Sequence, residues 1–175
     1  MYLDYTQIAF DKFGRPEPPT LLLQTADERT IGTLPNVANL KITVNFSETS
    51  EISFDLPAYS DGVPTPLDDK VVGYKVIRTE HYGIFLLMKP EISGDGIEEI
   101  KSVTGYSLEK KLENKQFFLE EGTFNFWNPA TPDDTILGRI LEVSPGWKAG
   151  YVAPSLIGRY RTFDQYDDYA LSFLY

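Results

Sequence analysis

The residues whose types could do chemistry are few and scattered. The chain has a single histidine, His81, between Glu80 and Tyr82. An imidazole can act as a general base, but a nucleophile must be brought to it, and no Ser, Thr or Cys stands at a spacing that ties it to His81. Ser-His-Asp catalysis therefore has only its residue types here, and His81 reads as a turn residue at a surface or edge. Carboxylates recur as pairs at Asp68-Asp69, Glu98-Glu99, Glu120-Glu121, Asp133-Asp134 and Asp167-Asp168. Glycoside hydrolysis needs two carboxyls held across a cleft, which adjacency in sequence does not supply. These pairs read as solvated turns and helix starts.

Bound groups fare no better. Asp61-Gly62 and Asp95-Gly96 lack the Asp-x-Asp-x-Asp-Gly pattern of a calcium loop, and one histidine makes no zinc site with its neighbours. Gly94-Asp95-Gly96 is half of a dinucleotide signature with no long helix after it, so a hairpin turn is the better reading. Cysteine is absent, which removes disulfides, thiolate metal sites and Cys nucleophiles. No catalytic, cofactor-binding or metal-binding residue is assigned, no cofactor is expected, and the chain is not expected to be an enzyme.

The elements that would position any site are mostly strands. Aromatics make up 14% of the 175 residues, and with 12 Pro and 13 Gly they favour strands and turns over helix bundles. Gly14-Arg15-Pro16 and Pro18-Pro19 exclude a helix or a central strand, so the first residues form an arm or edge. Leu21-Leu22-Leu23 and Ile31-Gly32-Thr33-Leu34 read as short strands joined at 26–29. Leu40, Ile42, Val44 and Phe46 alternate with polar residues, and Ile52-Ser53-Phe54-Asp55-Leu56 does the same, predicting a hairpin with one buried face. Residues 58–69 form a long loop, of the kind that often carries contacts.

A strand is predicted over 71–77, with 80–83 as a turn into the buried strand Ile84-Phe85-Leu86-Leu87-Met88. Ile97 to Tyr106 reads as a strand after the 94–96 turn, and Ser107 to Asn114 changes to a helical period. Phe117-Phe118-Leu119 and Thr123 to Trp127 flank Glu120-Glu121-Gly122 as a second hairpin. Thr131 as cap and Pro132 at the first helical position open a helix with the apolar stripe Ile136, Leu137, Ile140 and Leu141, stopped by Ser144-Pro145-Gly146. Residues 147–152 and 159–163 read as strands, and 166–175 as helix or strand. The fold class is mainly β with a few short helices, an α+β chain.

A net charge of −10 opposes phosphate-backbone affinity, so specific nucleic-acid binding is not expected. Met1-Tyr2-Leu3-Asp4-Tyr5 lacks the basic region and apolar core of a signal peptide, and no apolar run approaches membrane-spanning length. The expectation is a protein made in a cytoplasm, without a membrane partner. The apolar end, Ser172-Phe173-Leu174-Tyr175, has no stop signal and suggests a piece of something longer.

Several segments carry a resemblance. Ile31-Gly32-Thr33-Leu34-Pro35-Asn36, Ile52-Ser53-Phe54, Val71-Val72-Gly73-Tyr74-Lys75 and Thr104 to Leu112 resemble the N-terminal hub region of siphophage tail-associated or prophage endopeptidase tail proteins. Gly122 to Pro129 and the capped helix up to Trp147 fit the same pattern. The resemblance implies a tail-tip, baseplate hub-like fold: an antiparallel β-barrel-like tube domain with an N-terminal arm over 1–115, and the start of a second, inserted and truncated α+β domain over 116–175. It further implies a noncatalytic virion structural protein that is assembled in the host bacterial cytoplasm, with a possible hydrolase module downstream in the full-length protein. It would sit in the tail as a homotrimer, in a ring continuing the tail channel, beside the distal tail protein and the tape-measure protein, supporting host attachment and DNA passage. The rival reading is a carbohydrate-binding module recognising the bacterial cell wall, with Trp127 and Trp147 as stacking candidates.

Overall fold

Residue Ile100 begins the longest strand among the described residues, and the first sheet is ordered around it. The computed structural model describes residues 5–45, 48–94 and 98–174. The chain divides into two compact units, one up to Lys110 and one from Lys111. The boundary therefore lies inside the 3-10 helix Leu108–Asn114, a few residues before the boundary expected after Lys115.

In the first unit the strands are β1 (Leu22–Gln24), β2 (Thr30–Thr33), β3 (Ala38–Thr43), β4 (Glu51–Pro57), β5 (Tyr59–Ser60), β6 (Val63–Pro64), β7 (Val76–Thr79), β8 (Gly83–Leu87), β9 (Glu91–Ser93) and β10 (Ile100–Ser107). An antiparallel sheet runs β2-β1-β7-β8-β10-β4-β3, with β9 also paired to β10. β10 pairs along its whole length with β4, from Ile100 opposite Pro57 to Tyr106 opposite Glu51. On its other side it takes β9 against Ile100–Ser102 and β8 against Gly105–Ser107. The alternation predicted for Ile52, Phe54 and Leu56 holds, and all three are buried. Gly105 is where β10 comes closest to its neighbours: a Cβ there would lie 3.0 Å from both Ile52 Cγ2 and Leu87 Cδ2.

One core lies on one face of this sheet. Leu21, Leu23, Ile52, Phe54, Leu56, Ile77, Phe85, Leu87 and Val103 form it, and Ile31 of β2 and Leu40 and Ile42 of β3 pack on it as well. Both edge strands thus reach the same cluster, so the sheet curls around it. The expected barrel-like closure is nevertheless not made: among the described residues no ladder joins β2 to β3. Pro35 offers no N–H there, and Asn36 and Asn39 take left-handed backbone conformations with φ of 59° and 52°, which breaks the backbone ladder between the two edges.

Other expectations are corrected. The strand predicted over 71–77 begins only at Val76, because Tyr74 has a φ of 64° and Gly73 packs against the Lys89 backbone. Residues Phe46, Ser47 and 95–97 lie outside the described residues, so the last position of the third strand and the tip of the 94–96 turn do too. The segment expected to be helical after Ser107 is 3-10 rather than α.

The second unit holds β11 (Gln116–Leu119), β12 (Gly122–Asn125), α1 (Ile136–Glu142), β13 (Tyr160–Phe163), β14 (Tyr166–Tyr169) and α2 (Ala170–Leu174). β11 and β12 do not form the expected hairpin. β11 pairs with β14 and β12 with β13, both antiparallel. The register is the same on both sides of the interruption, Leu119 opposite Tyr166 and Gly122 opposite Phe163. The four strands are one long two-stranded ribbon, broken where Glu120 and Glu121 face Asp164 and Gln165. Residues 147–152 form no strand. The helix cap also shifts: Thr135, not Thr131, caps α1 by accepting from Gly138 N at 3.1 Å, and Pro132–Asp134 form a separate 3-10 turn. Leu112, Phe117, Leu119, Ile136, Ile140, Ala170 and Leu171 make the second core, with Phe173 set edge-on to Phe117 and Tyr166 at 5.0 Å.

Candidate functional site

Strand alternation places a lysine on the core face of the first sheet. In β10 the inward residues are Lys101, Val103 and Gly105, and Lys101 is only 8% exposed while Ile100 is turned out. A buried ammonium requires a partner. Lys101 Nζ donates to the Asp68 backbone oxygen at 2.6 Å and to Asp68 Oδ2 at 2.8 Å. Asp68 is presented by the 3-10 helix Asp68–Lys70, whose preceding residue Leu67 has a φ of 65° and lays its side chain on the core. A non-glycine residue in that conformation is tolerated only when its surroundings hold it there.

Beside this pair opens a cavity of about 520 Å³ lined by Ala58, Tyr59, Pro64, Thr65, Asp68, Asp69 and Glu99. It lies past the end of β4 and ahead of the start of β10, and Ala58 N donates to Glu99 O across the gap. Two lining groups are buried without a hydrogen-bond partner, Thr65 Oγ1 and Asp68 Oδ1. Asp69 is salt-bridged to Lys70, which holds its carboxyl below the usual carboxylate range. Lys101 and Lys70 thus answer Asp68 and Asp69, while Glu99 makes no ion pair among the described residues.

Comparison of the chain with models of known protein families, with curated proteins and with solved structures returns no match. The chemistry of the cavity must be read from its own groups.

The cavity brings together two of the carboxylate pairs that the sequence kept apart, Asp68-Asp69 and the Glu99 member of Glu98-Glu99. Asp68, expected to be a solvated turn residue, is a partner of a buried lysine instead. The remaining pairs lie in the second unit: Glu120-Glu121 at the ribbon interruption, Asp133-Asp134 on the 3-10 turn before α1, and Asp167-Asp168 on β14. His81 is half-buried in the turn between β7 and β8, at the opposite end of the strands from the cavity. No group of three or more His, Cys, Asp or Glu able to hold a metal ion occurs among the described residues. Thr65 shares the lining with three carboxylates, those of Asp68, Asp69 and Glu99. Carboxylate oxygens and a hydroxyl, next to a tyrosine and a proline, suit a cation.

Reading the sequence passed over Lys101 and Thr65. The signal for Lys101 was available, since Val103 stands between the polar Ser102 and Thr104 and so sets the inward parity to odd residues. Trp127 and Trp147, the stacking candidates, are both half-buried, and Trp147 packs on the second core. Among the described residues of that unit the exposed aromatics are Phe118, Tyr151, Tyr160 and Tyr169.

Proposed function

We propose that the chain is a noncatalytic structural module of a phage or prophage tail tip, a baseplate hub-like part of a ring that continues the tail channel. The observation that carries this reading is a curled antiparallel sheet that gathers Ile31–Leu34, Ile52–Phe54 and Thr104–Ser107, segments of the resemblance, in one unit. Its edge strands β2 and β3 are left unpaired with each other. Further support comes from a net charge of −10, which suits a wall along which DNA must pass without sticking. In this reading three copies close the ring through heterologous contacts, next to the distal tail protein and the tape-measure protein, and the protein ends in the virion.

Gold-labelled antibody against the chain, applied to intact particles from the host strain, tests the assignment. Label at the tail tip is the expected result; particles without label overturn it. A second reading, binding of cell-wall sugar, is favoured by the exposed tyrosines of the second unit, with Tyr160 67% and Tyr151 79% exposed. Retention on purified wall polysaccharide that is lost in Tyr160→Ala and Tyr151→Ala would support it.

A further inference from the structure

The arm of the first unit is a small, tightly built hairpin. Phe10 and Pro16 form an antiparallel bridge, Asp11 N donates to Arg15 O at 2.8 Å, and Gly14 N donates to Asp11 O at 3.0 Å. Asp11 Oδ1 accepts from Phe13 N at 2.8 Å and Arg15 N at 2.9 Å, so this carboxylate is turned onto the loop's own backbone. At the tip Phe13 is 72% exposed, with Lys12 Nζ 5.0 Å and Arg15 Cζ 5.9 Å from its ring centre. An aromatic ring flanked by two cations is thus held out by a hydrogen-bonded turn, on a protein whose net charge is −10.

The base of this hairpin is seated at one end of the sheet. Pro16, Pro18 and Pro19 line a small cleft with Leu40, Ile42 and Tyr82. Ile42 pairs with Ile52 near the start of β4, and Tyr82 lies in the β7–β8 turn. The acidic cavity lies past Pro57, at the other end of β4. Arm and cavity therefore mark opposite ends of one unit, which is the arrangement of a head-to-tail contact between copies.

We infer that the arm tip of one copy docks into the acidic cavity of a second copy, with Arg15 and Lys12 meeting Glu99 and the unpartnered acceptors, and Phe13 lying against Tyr59 and Pro64. The lining is acidic, and it also holds buried polar groups without partners. Thr65 is 4% exposed and lines the cavity with a hydroxyl that has no partner, and Asp68 Oδ1 is buried with none. Such groups are costly unless a partner arrives; a guanidinium supplies several donors in a planar fork, which the Asp68 oxygen and the Thr65 hydroxyl can both accept. Lys70 and Lys101 occupy the other carboxylates and leave room for one further cation. A contact of this kind is heterologous and either closes into a ring or runs on as a filament. It deepens the ring reading and rests on it only for closure.

Charge reversal with complementation tests the contact. In sedimentation velocity at low salt the wild-type chain should self-associate, and about 0.5 M salt should weaken the association. Arg15→Glu and Glu99→Lys each weaken it by about tenfold or more, and an equimolar mixture of the two variants recovers it, because the reversed arm meets the reversed cavity. Asp69→Lys, at an exposed position, replaces Glu99→Lys if that variant fails to fold. The chain has no cysteine, so Phe13→Cys mixed with Tyr59→Cys should form a disulfide between copies. A wild type that stays monomeric overturns the contact, as does association that ignores both reversals or a mixture that does not recover. An association insensitive to charge leaves the ring standing without this contact. An association that follows the charges, in a protein absent from tail tips, removes the tail assignment and keeps the contact.

Discussion

Asp55 on the outward face of β4 accepts from Asn39 Nδ2 of β3 at 2.7 Å and from Ser102 Oγ of β10 at 2.9 Å. These two hydrogen bonds, Asn39 first, hold its carboxyl below the ordinary carboxylate range. A depressed folded value means that the stabilisation is fully present above the unfolded pKa, about 3.9, and is lost as pH falls through the folded one. Asp55→Ala should cost up to about 1 kcal/mol at neutral pH, and the cost should shrink in acid. Urea unfolding of both proteins at pH 7 and pH 3 checks this; a cost that grows in acid contradicts it. Lys101 works differently, because its ammonium is buried. Lys101→Ala leaves the Asp68 carboxylate without its cation and should lower stability by about 2–4 kcal/mol, with Lys101→Met closer to wild type in packing but equally unable to answer the charge. The same denaturant curves report it.

At the scale of elements, α1 shows a packing constraint that propensity hides. Gly138 sits in the helix, where alanine would ordinarily be better by about 1 kcal/mol. A Cβ on Gly138 would collide with Pro132 O, so the 3-10 turn before the helix must move. Gly138→Ala is therefore expected to destabilise by about 2 kcal/mol or more, opposite in sign to the propensity, and a rise in melting temperature would refute the close approach. The long ribbon of β11 and β12 with β13 and β14 makes a second point. Glu120-Glu121-Gly122 looks like a turn in sequence because polar residues and glycine interrupt two apolar runs. The partners that complete the ribbon arrive from residues 160–169, and no local pattern marks a pairing between segments so far apart. Phe117→Ala removes the ring that meets Tyr166 and Phe173 and should cost about 3–5 kcal/mol, with faster amide exchange across β11 and β14 as the readout.

For the whole molecule, a net charge of −10 predicts that the chain does not retard duplex DNA at physiological salt, since counterion release needs Lys and Arg against phosphate. A gel-shift titration checks this. Retardation would also remove the proposal of a channel wall along which DNA slides. No helix among the described residues is long and apolar enough to cross a membrane.

By itself, the sequence determined what depends on neighbours a few positions apart. Period-two alternation marked β4 correctly, and prolines and glycines marked the arm. Its parity rules could also have put Lys101 inside. Only the tertiary structure decided the rest: that β2 and β3 stop short of closing, that the second unit's strands pair with the end of the chain, and that Asp68, Asp69 and Glu99 share one cavity with a buried hydroxyl. Each of these depends on contacts between segments remote in sequence, where hydrogen-bond satisfaction and burial select among pairings that local propensity leaves equal.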